Sequence, residues 1–303
     1  MAPKDQQVSR RELLRTAAIG AAALMLPAKL VACKRVDPDL ERLTKWVETL
    51  RVEGLGKPGV PLGPVAVRAG ELAAGTPYVP YTLEEYLRNG GSPLQEPLSV
   101  SLAHFDCVTL VESCLAAARL ARSDEAPTWK RFGQEIERMR YRGGKRTGYA
   151  SRLHYFSEWI SDGEKRGLVK NLGRELGAGE DTRPLRFMTE HRQEYPALAN
   201  DSMFDDIEEI ERRISRTPRQ VVAVERIPQV APRIATGDVL GFATRISGLD
   251  VTHTAFAYRD REGTLRVLHA PLSGGVVEIT RATLPEYVSA IRRATGILVA
   301  RPV

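Results

Sequence analysis

The sequence predicts an α+β fold from three observations. Apolar residues recur at helical spacing through the first half of the chain. Short β-branched runs broken by turn residues fill the last third. The two kinds of segment follow one another and do not alternate, which points to helices packed on an antiparallel sheet and away from βαβ units. With 303 residues, 43% of them hydrophobic, the chain can build one large domain or two small ones.

The order of elements begins with Ser9-Arg10-Arg11-Glu12-Leu13-Leu14, then an apolar run over residues 17–26 that is too short to span a bilayer. It has the form of a signal-peptide core, and the paired arginines resemble a twin-arginine export signal. Leu30-Val31-Ala32-Cys33 resembles a lipobox, so residues 1–33 read as a lipoprotein signal and Cys33 as the lipidated residue. Each buried acyl CH₂ contributes about 0.8 kcal/mol of membrane affinity, so lipid alone would tether the chain. The expectation is an exported bacterial lipoprotein on the periplasmic face of the outer or inner membrane. Lys34, where enteric inner-membrane lipoproteins carry aspartate, favours the outer. Five cations against two acids before Cys33 account for half of the net charge of +6. No segment concentrates the remainder, which argues against nucleic acid as a partner and is compatible with an anionic envelope substrate.

Residues 38–51 read as a helix with Leu40, Leu43, Val47 and Leu50 on one face. Residues 54–80, rich in glycine and proline, read as an extended connector, which sets 34–80 apart from a catalytic domain over 81–303. Thr82 and Glu85 suggest a capping box at the start of a short helix. Residues 107–122 form the clearest helix, with Asp106 as N-cap and Val108, Val111, Leu115 and Ala118 at helical spacing. Further helices are expected over 129–142 and 151–160. The polar stretch 172–219 reads as an insertion and a candidate lid, with a short exposed helix over 205–213. Strands are expected over 220–224, 238–243, 251–258, 264–270, 275–279 and 296–301, with a helix over 284–292 before the last.

Cys107 and Cys114 are seven residues apart on one helix, about 10 Å along its axis and beyond the roughly 7 Å limit for a disulfide. Both should be thiols, and a free thiol in an exported chain calls for a reason. Cys114 reads as packing. Cys107 stands at a helix start, where amides and the helix dipole lower a thiol pKa. Along 251–258, His253 shares a face with Ala255 and Ala257; along 264–270, His269 shares one with Leu265 and Val267. A turn over Asp260-Arg261-Glu262, with Arg259 opposite Gly263, would set His253 directly opposite His269, with Cβ atoms about 5 Å apart. His253 would then take the thiol proton, His269 would fix its tautomer, and the Cys107 amide would be an oxyanion donor. That chemistry calls for no metal or cofactor.

Ser101-Leu102-Ala103-His104-Phe105-Asp106-Cys107-Val108-Thr109-Leu110-Val111-Glu112 resembles the nucleophile segment of the N-acetylmuramoyl-L-alanine amidase-like family (domain of unknown function 1460), relatives of the NlpC-type cysteine peptidases. Segments 140–144, 151–160, 248–253 and 268–270 resemble that family in the same order. The resemblance implies a papain-like, NlpC-type fold with the nucleophile helix on a C-terminal antiparallel sheet. It also implies cleavage of amide bonds in peptidoglycan, with Cys107 as nucleophile, His253 as base and His269 as orienting partner. Where the family often continues with small serines, this chain has Ala270-Pro271-Leu272-Ser273, which changes the local substrate contacts. Arg142, Arg152 and Tyr155 are candidate contacts for stem-peptide carboxylates, which suit arginine's planar fork. The plainer reading gives Arg142 a helix C-terminus and Arg152 a surface acid.

The expected activity is hydrolysis of the N-acetylmuramoyl-L-alanine bond through a thioester. The rival readings are a γ-D-glutamyl-diamino-acid endopeptidase, a non-catalytic murein-binding lipoprotein and an acyl transferase. Nothing in the sequence speaks to oligomeric state.

Overall fold

The computed structural model describes residues 37–272 and 275–303. The export signal, the lipobox with Cys33, and Ser273 lie outside the described residues. Helix α1 (Pro38–Val52) starts where the Asp37 carboxylate accepts from the Asp39 and Leu40 amides, and it buries Leu43, Trp46, Val47 and Leu50. The stretch expected to be a connector instead contains α2 (Leu62–Leu72), buried along most of its length. Its glycines, read together with the flanking prolines as a connector, form a packing surface with its alanines. A Cβ on Gly70 would sit 2.7 Å from a Leu268 methyl, and one on Gly63 about 3.0 Å from the Gly237 backbone. Residues 37–80 therefore belong to the main core.

α3 (Glu85–Arg88) begins later than the Thr82 capping box suggested and has no side-chain cap. In α4 (Cys107–Ala121) the expected N-cap is present. Asp106 Oδ1 accepts from the Thr109 amide at 2.7 Å, and Thr109 Oγ1 accepts from the Asp106 amide at 2.8 Å, closing a capping box. Twelve of its fifteen residues are buried, which makes it the central helix. α5 (Trp129–Arg140) is capped by Thr128. The helix expected from 151 starts later, as α6 (Phe156–Lys165), because Tyr149–Ser151 forms a 3₁₀ turn and Arg152 bridges to Tyr141.

β1 (Val169–Asn171) ends just before the polar stretch, which holds β2 (Gly179–Asp181), α7 (Phe187–Glu190) and α8 (Asp201–Ile214). The stretch is built into the fold: β2 pairs with the sheet, and α8, expected to be exposed, buries Met203, Ile207 and Ile210. These three residues join Leu185, Met188, Ala197 and Leu198 in a separate apolar cluster. The charges between them masked a one-sided helix.

The remaining elements are β3 (Arg219–Ala223), α9 (Ile227–Val230), β4 (Val239–Thr244), β5 (Val251–Arg259), β6 (Leu265–His269), β7 (Glu278–Ile279), α10 (Leu284–Ala290) and β8 (Ala294–Pro302). Among the described residues these strands all pair antiparallel, in the order β2-β3-β8-β4-β5-β6-β7 with β1 also on β8. One sheet face, with Val239, Phe256, Leu268 and Leu298, packs on α1, α2, α4 and α5. The other, with Leu240, Phe242, Ala255, Ala257 and Val267, packs on α9 and α10. The fold is α+β, with α4 laid on an antiparallel sheet.

Candidate active site

The β5–β6 register is offset from the expected one. Phe256 pairs with Leu268 and Arg259 with Leu265, which places His269 level with Ala255 and not with His253. The connecting loop runs from Asp260 to Thr264. The Asp260 amide donates to the Thr264 carbonyl (3.0 Å), Asp260 Oδ1 accepts from the Thr264 amide (2.7 Å), and Gly263 takes a left-handed φ of 83°. Sequence spacing alone did not contain that loop length. The slip is two residues, so the face is conserved, and the imidazoles meet diagonally: His253 Nε2 lies 2.8 Å from His269 Nδ1. His253 stacks on Phe242 at 5.6 Å between ring centres. His269 is buried, with Tyr287 Oη 3.3 Å from Nδ1.

Burial, followed by the charge of its neighbour His269, lowers the His253 pKa to about 3, and burial lowers that of His269 to about 4. Both rings are neutral at neutral pH. With Nε2 engaged, Nδ1 is the His253 nitrogen left to act as a base.

β5 pairs with β6 only from Phe256 to Arg259, so its start, carrying His253 and Thr254, runs past the end of β6. The first turn of α4 adjoins this overhang. Thr254, the residue after His253, lies beside Cys107, and Tyr78 and Tyr287 lie close enough to feel a charge on the sulfur. Cys107 is partly exposed and Cys114 fully buried; both are free thiols.

The expectation of a lowered thiol pKa is reversed. Burial first, then the Asp106 charge, pushes Cys107 up to about 11, and the opposing pull of Thr254 and the Val108 amide does not cancel them. The resting pair is therefore a neutral thiol and a neutral imidazole, so the proton must leave as the sulfur attacks. Alkylation of Cys107 by iodoacetamide should accelerate about tenfold per pH unit up to about pH 11, because the thiolate reacts and its fraction rises with pH. A rate already level at pH 7 would indicate a thiolate–imidazolium pair.

Arg142, Arg152 and Tyr155, expected to touch substrate, are all engaged within the protein. Arg142 donates to both Glu158 carboxylate oxygens (2.7 and 2.9 Å) and to the Ala150 carbonyl (2.7 Å). Buried Arg152 pairs with Glu84 (2.7 Å) and Glu96 (3.3 Å), and buried Tyr155 donates to Glu211 (2.5 Å). The groups suited to a ligand's carboxylates bind the protein's own, so these residues read as scaffold. Arg142 also lines a cavity of about 500 Å³ with Glu158, Arg174 and Arg213, but neither Cys107 nor either histidine reaches it. Tyr287 and Glu278 were missed as neighbours of the imidazoles. Glu278 is opposite His269 on β7, a pairing set by the same unread register, and nothing in the sequence singles out Tyr287.

A family model described as N-acetylmuramoyl-L-alanine amidase-like matches residues 68–297. The crystal structure of an N-acetylmuramoyl-L-alanine amidase from Bacteroides uniformis is similar, at 27% identity and a TM-score of 0.72, covering 80% of this chain and 99% of that one. So is that of a putative xylanase from Bacteroides fragilis, at 29% identity and 0.69, covering 77% and 98%. A Legionella pneumophila protein of the domain-of-unknown-function-1460 family shares the fold at 18% identity and 0.62, covering 87% and 94%. No curated protein matches the chain.

Proposed function

The chain belongs to the N-acetylmuramoyl-L-alanine amidase-like family, and from that premise we propose that it is a cysteine-dependent amidase of peptidoglycan fragments. The observation that carries the reading is the 2.8 Å contact between two neutral imidazoles, one of them on β5 directly before Thr254, the residue beside Cys107. The bond proposed is the one joining the lactyl group of N-acetylmuramic acid to L-alanine, and the fold is read as papain-like, of the NlpC type.

In this mechanism His253 Nδ1 removes the Cys107 proton as the sulfur attacks the carbonyl carbon. The Cys107 amide, at the open start of α4, donates to the developing oxyanion. The protonated imidazole returns its proton to the departing amine, the carbon–nitrogen bond breaks, and a thioester remains. Water, deprotonated by the same imidazole, then hydrolyses the thioester, restoring the thiol and releasing the lactyl carboxylic acid. His269 holds the ring of His253 through both halves. Export and lipidation at Cys33 remain part of the proposal, placing the enzyme at the periplasmic face of a membrane.

Mass spectrometry of purified disaccharide-peptides after digestion tests the reading. The expected products are a stem peptide with a free L-alanine amine and a disaccharide with a free lactyl carboxyl. A disaccharide retaining L-alanine and D-glutamate would assign the γ-D-glutamyl bond instead. Intact substrate would overturn the amidase reading.

A further inference from the structure

We propose that Glu278 is a positioning residue that selects the tautomer of the histidine pair and so presents a basic Nδ1 on His253. The proposal rests on the cysteine amidase reading for its consequence in catalysis, although the tautomer itself is independent of it.

The two rings share one hydrogen between His253 Nε2 and His269 Nδ1. If His253 donates it, His253 Nδ1 carries a lone pair and can accept the thiol proton, and His269 must carry its own hydrogen on Nε2. If His269 donates it, His253 Nδ1 is already protonated and cannot serve as a base, and His269 Nε2 is bare. The choice is made at His269 Nε2.

That atom is buried and has no hydrogen-bond partner among the described residues. The acidic group facing it is Glu278 Oε1, 3.7 Å away. The backbone places it there, because His269 and Glu278 are direct partners in the β6–β7 ladder and their side chains share a face. An ionised carboxylate accepts and never donates, so it favours a hydrogen on Nε2 and penalises a bare nitrogen. Its side chain is half exposed.

The other groups around the pair do not decide between the tautomers. Tyr287, from α10, meets His269 Nδ1 at 3.3 Å, and a hydroxyl can donate or accept. Phe242, from β4, stacks without a polar contact. Cys107, from α4, brings a thiol that is neutral at rest.

The test is ¹⁵N NMR of histidine-labelled protein together with steady-state kinetics, on wild type, Glu278→Ala and Glu278→Gln. In wild type both rings should show the Nε2–H signature. Glu278→Ala should mix the tautomers and lower kcat about tenfold with little change in KM, the scale of losing an outer partner of a functional histidine. Glu278→Gln, whose side-chain oxygen still accepts, should keep the wild-type signature and most of the activity. An Nδ1–H signature on His253 in wild type, or a Glu278→Ala spectrum identical to wild type, would overturn the proposal. Because the spectra need no substrate, absence of activity in wild type would count against the amidase reading and leave this assignment to be judged by the spectra alone.

Discussion

Cys107→Ala is expected to lower amide cleavage by at least about 10³-fold while leaving the protein folded. Both halves follow from the position of the residue. Cys107 is the first residue of α4 and belongs to none of the buried apolar clusters, so the core does not depend on its side chain. Alanine is a good helix former, and the Asp106–Thr109 capping box that starts the helix does not involve the sulfur. Chemistry, by contrast, loses its nucleophile, and His253 has nothing to deprotonate. His253→Ala should cost between about 10² and 10⁴ in rate, because the thiol pushed up to about 11 needs a base during attack. The check is initial rate on disaccharide-peptide beside a thermal melt. A Cys107→Ala protein that turns over at the wild-type rate would remove the cysteine from the mechanism, whereas a wild type as inert as the variant would favour the murein-binding reading.

Arg140→Met is expected to destabilise the protein by about 3–5 kcal/mol, the cost of leaving one member of a buried ion pair without its partner. Arg140 Nε lies 2.7 Å from Glu112 Oε2, with the two side chains 3% and 1% exposed. A second guanidinium nitrogen donates to the Ser99 carbonyl at 2.6 Å. The pair joins α5 to α4 between one and two turns after Cys107, and through Ser99 it holds the segment leading into the nucleophile helix. Burial raises the Glu112 carboxyl, and Arg140 is the main group opposing that rise. Without the arginine, Glu112 would take up a proton, so the deficit should be largest at high pH and shrink as pH falls. For a domain of this size the loss corresponds to a fall in Tm of roughly 6–20 °C. Glu112→Gln combined with Arg140→Met should be less damaging than Arg140→Met alone, since no charge is stranded. An unchanged melt in the single variant would show that the pair does not hold the helices together.

The parts of the molecule readable from sequence are those governed by local rules. Asp106 and the spacing after Cys107 specify α4, because a cap and an apolar stripe are local. The face shared by His253 and His269 was legible because strand side chains alternate every two residues, and a two-residue slip leaves that alternation unchanged. Their exact pairing was not legible, since it depends on how the chain closes around Gly263. α2 was hidden because Gly63, Ala66, Ala69 and Gly70 have the composition of a linker and the function of a close-packed face. The roles of Arg142, Arg152 and Tyr155 turned on Glu158, Glu84 with Glu96, and Glu211, acids that come near only after folding. The thiol pKa failed for a related reason: the helix-start contribution is local, whereas the burial that outweighs it is tertiary.

The central claim is that the Cys107 sulfur becomes acylated during turnover, and acid quenching during the first turnovers followed by peptide mass spectrometry reads this directly. The predicted result is a hydroxylamine-labile muramoyl adduct on the peptide containing Cys107, absent from Cys107→Ala and strongly reduced in His253→Ala. Product release at the normal rate with Cys107 already blocked by alkylation, and no adduct at any time, would contradict the account.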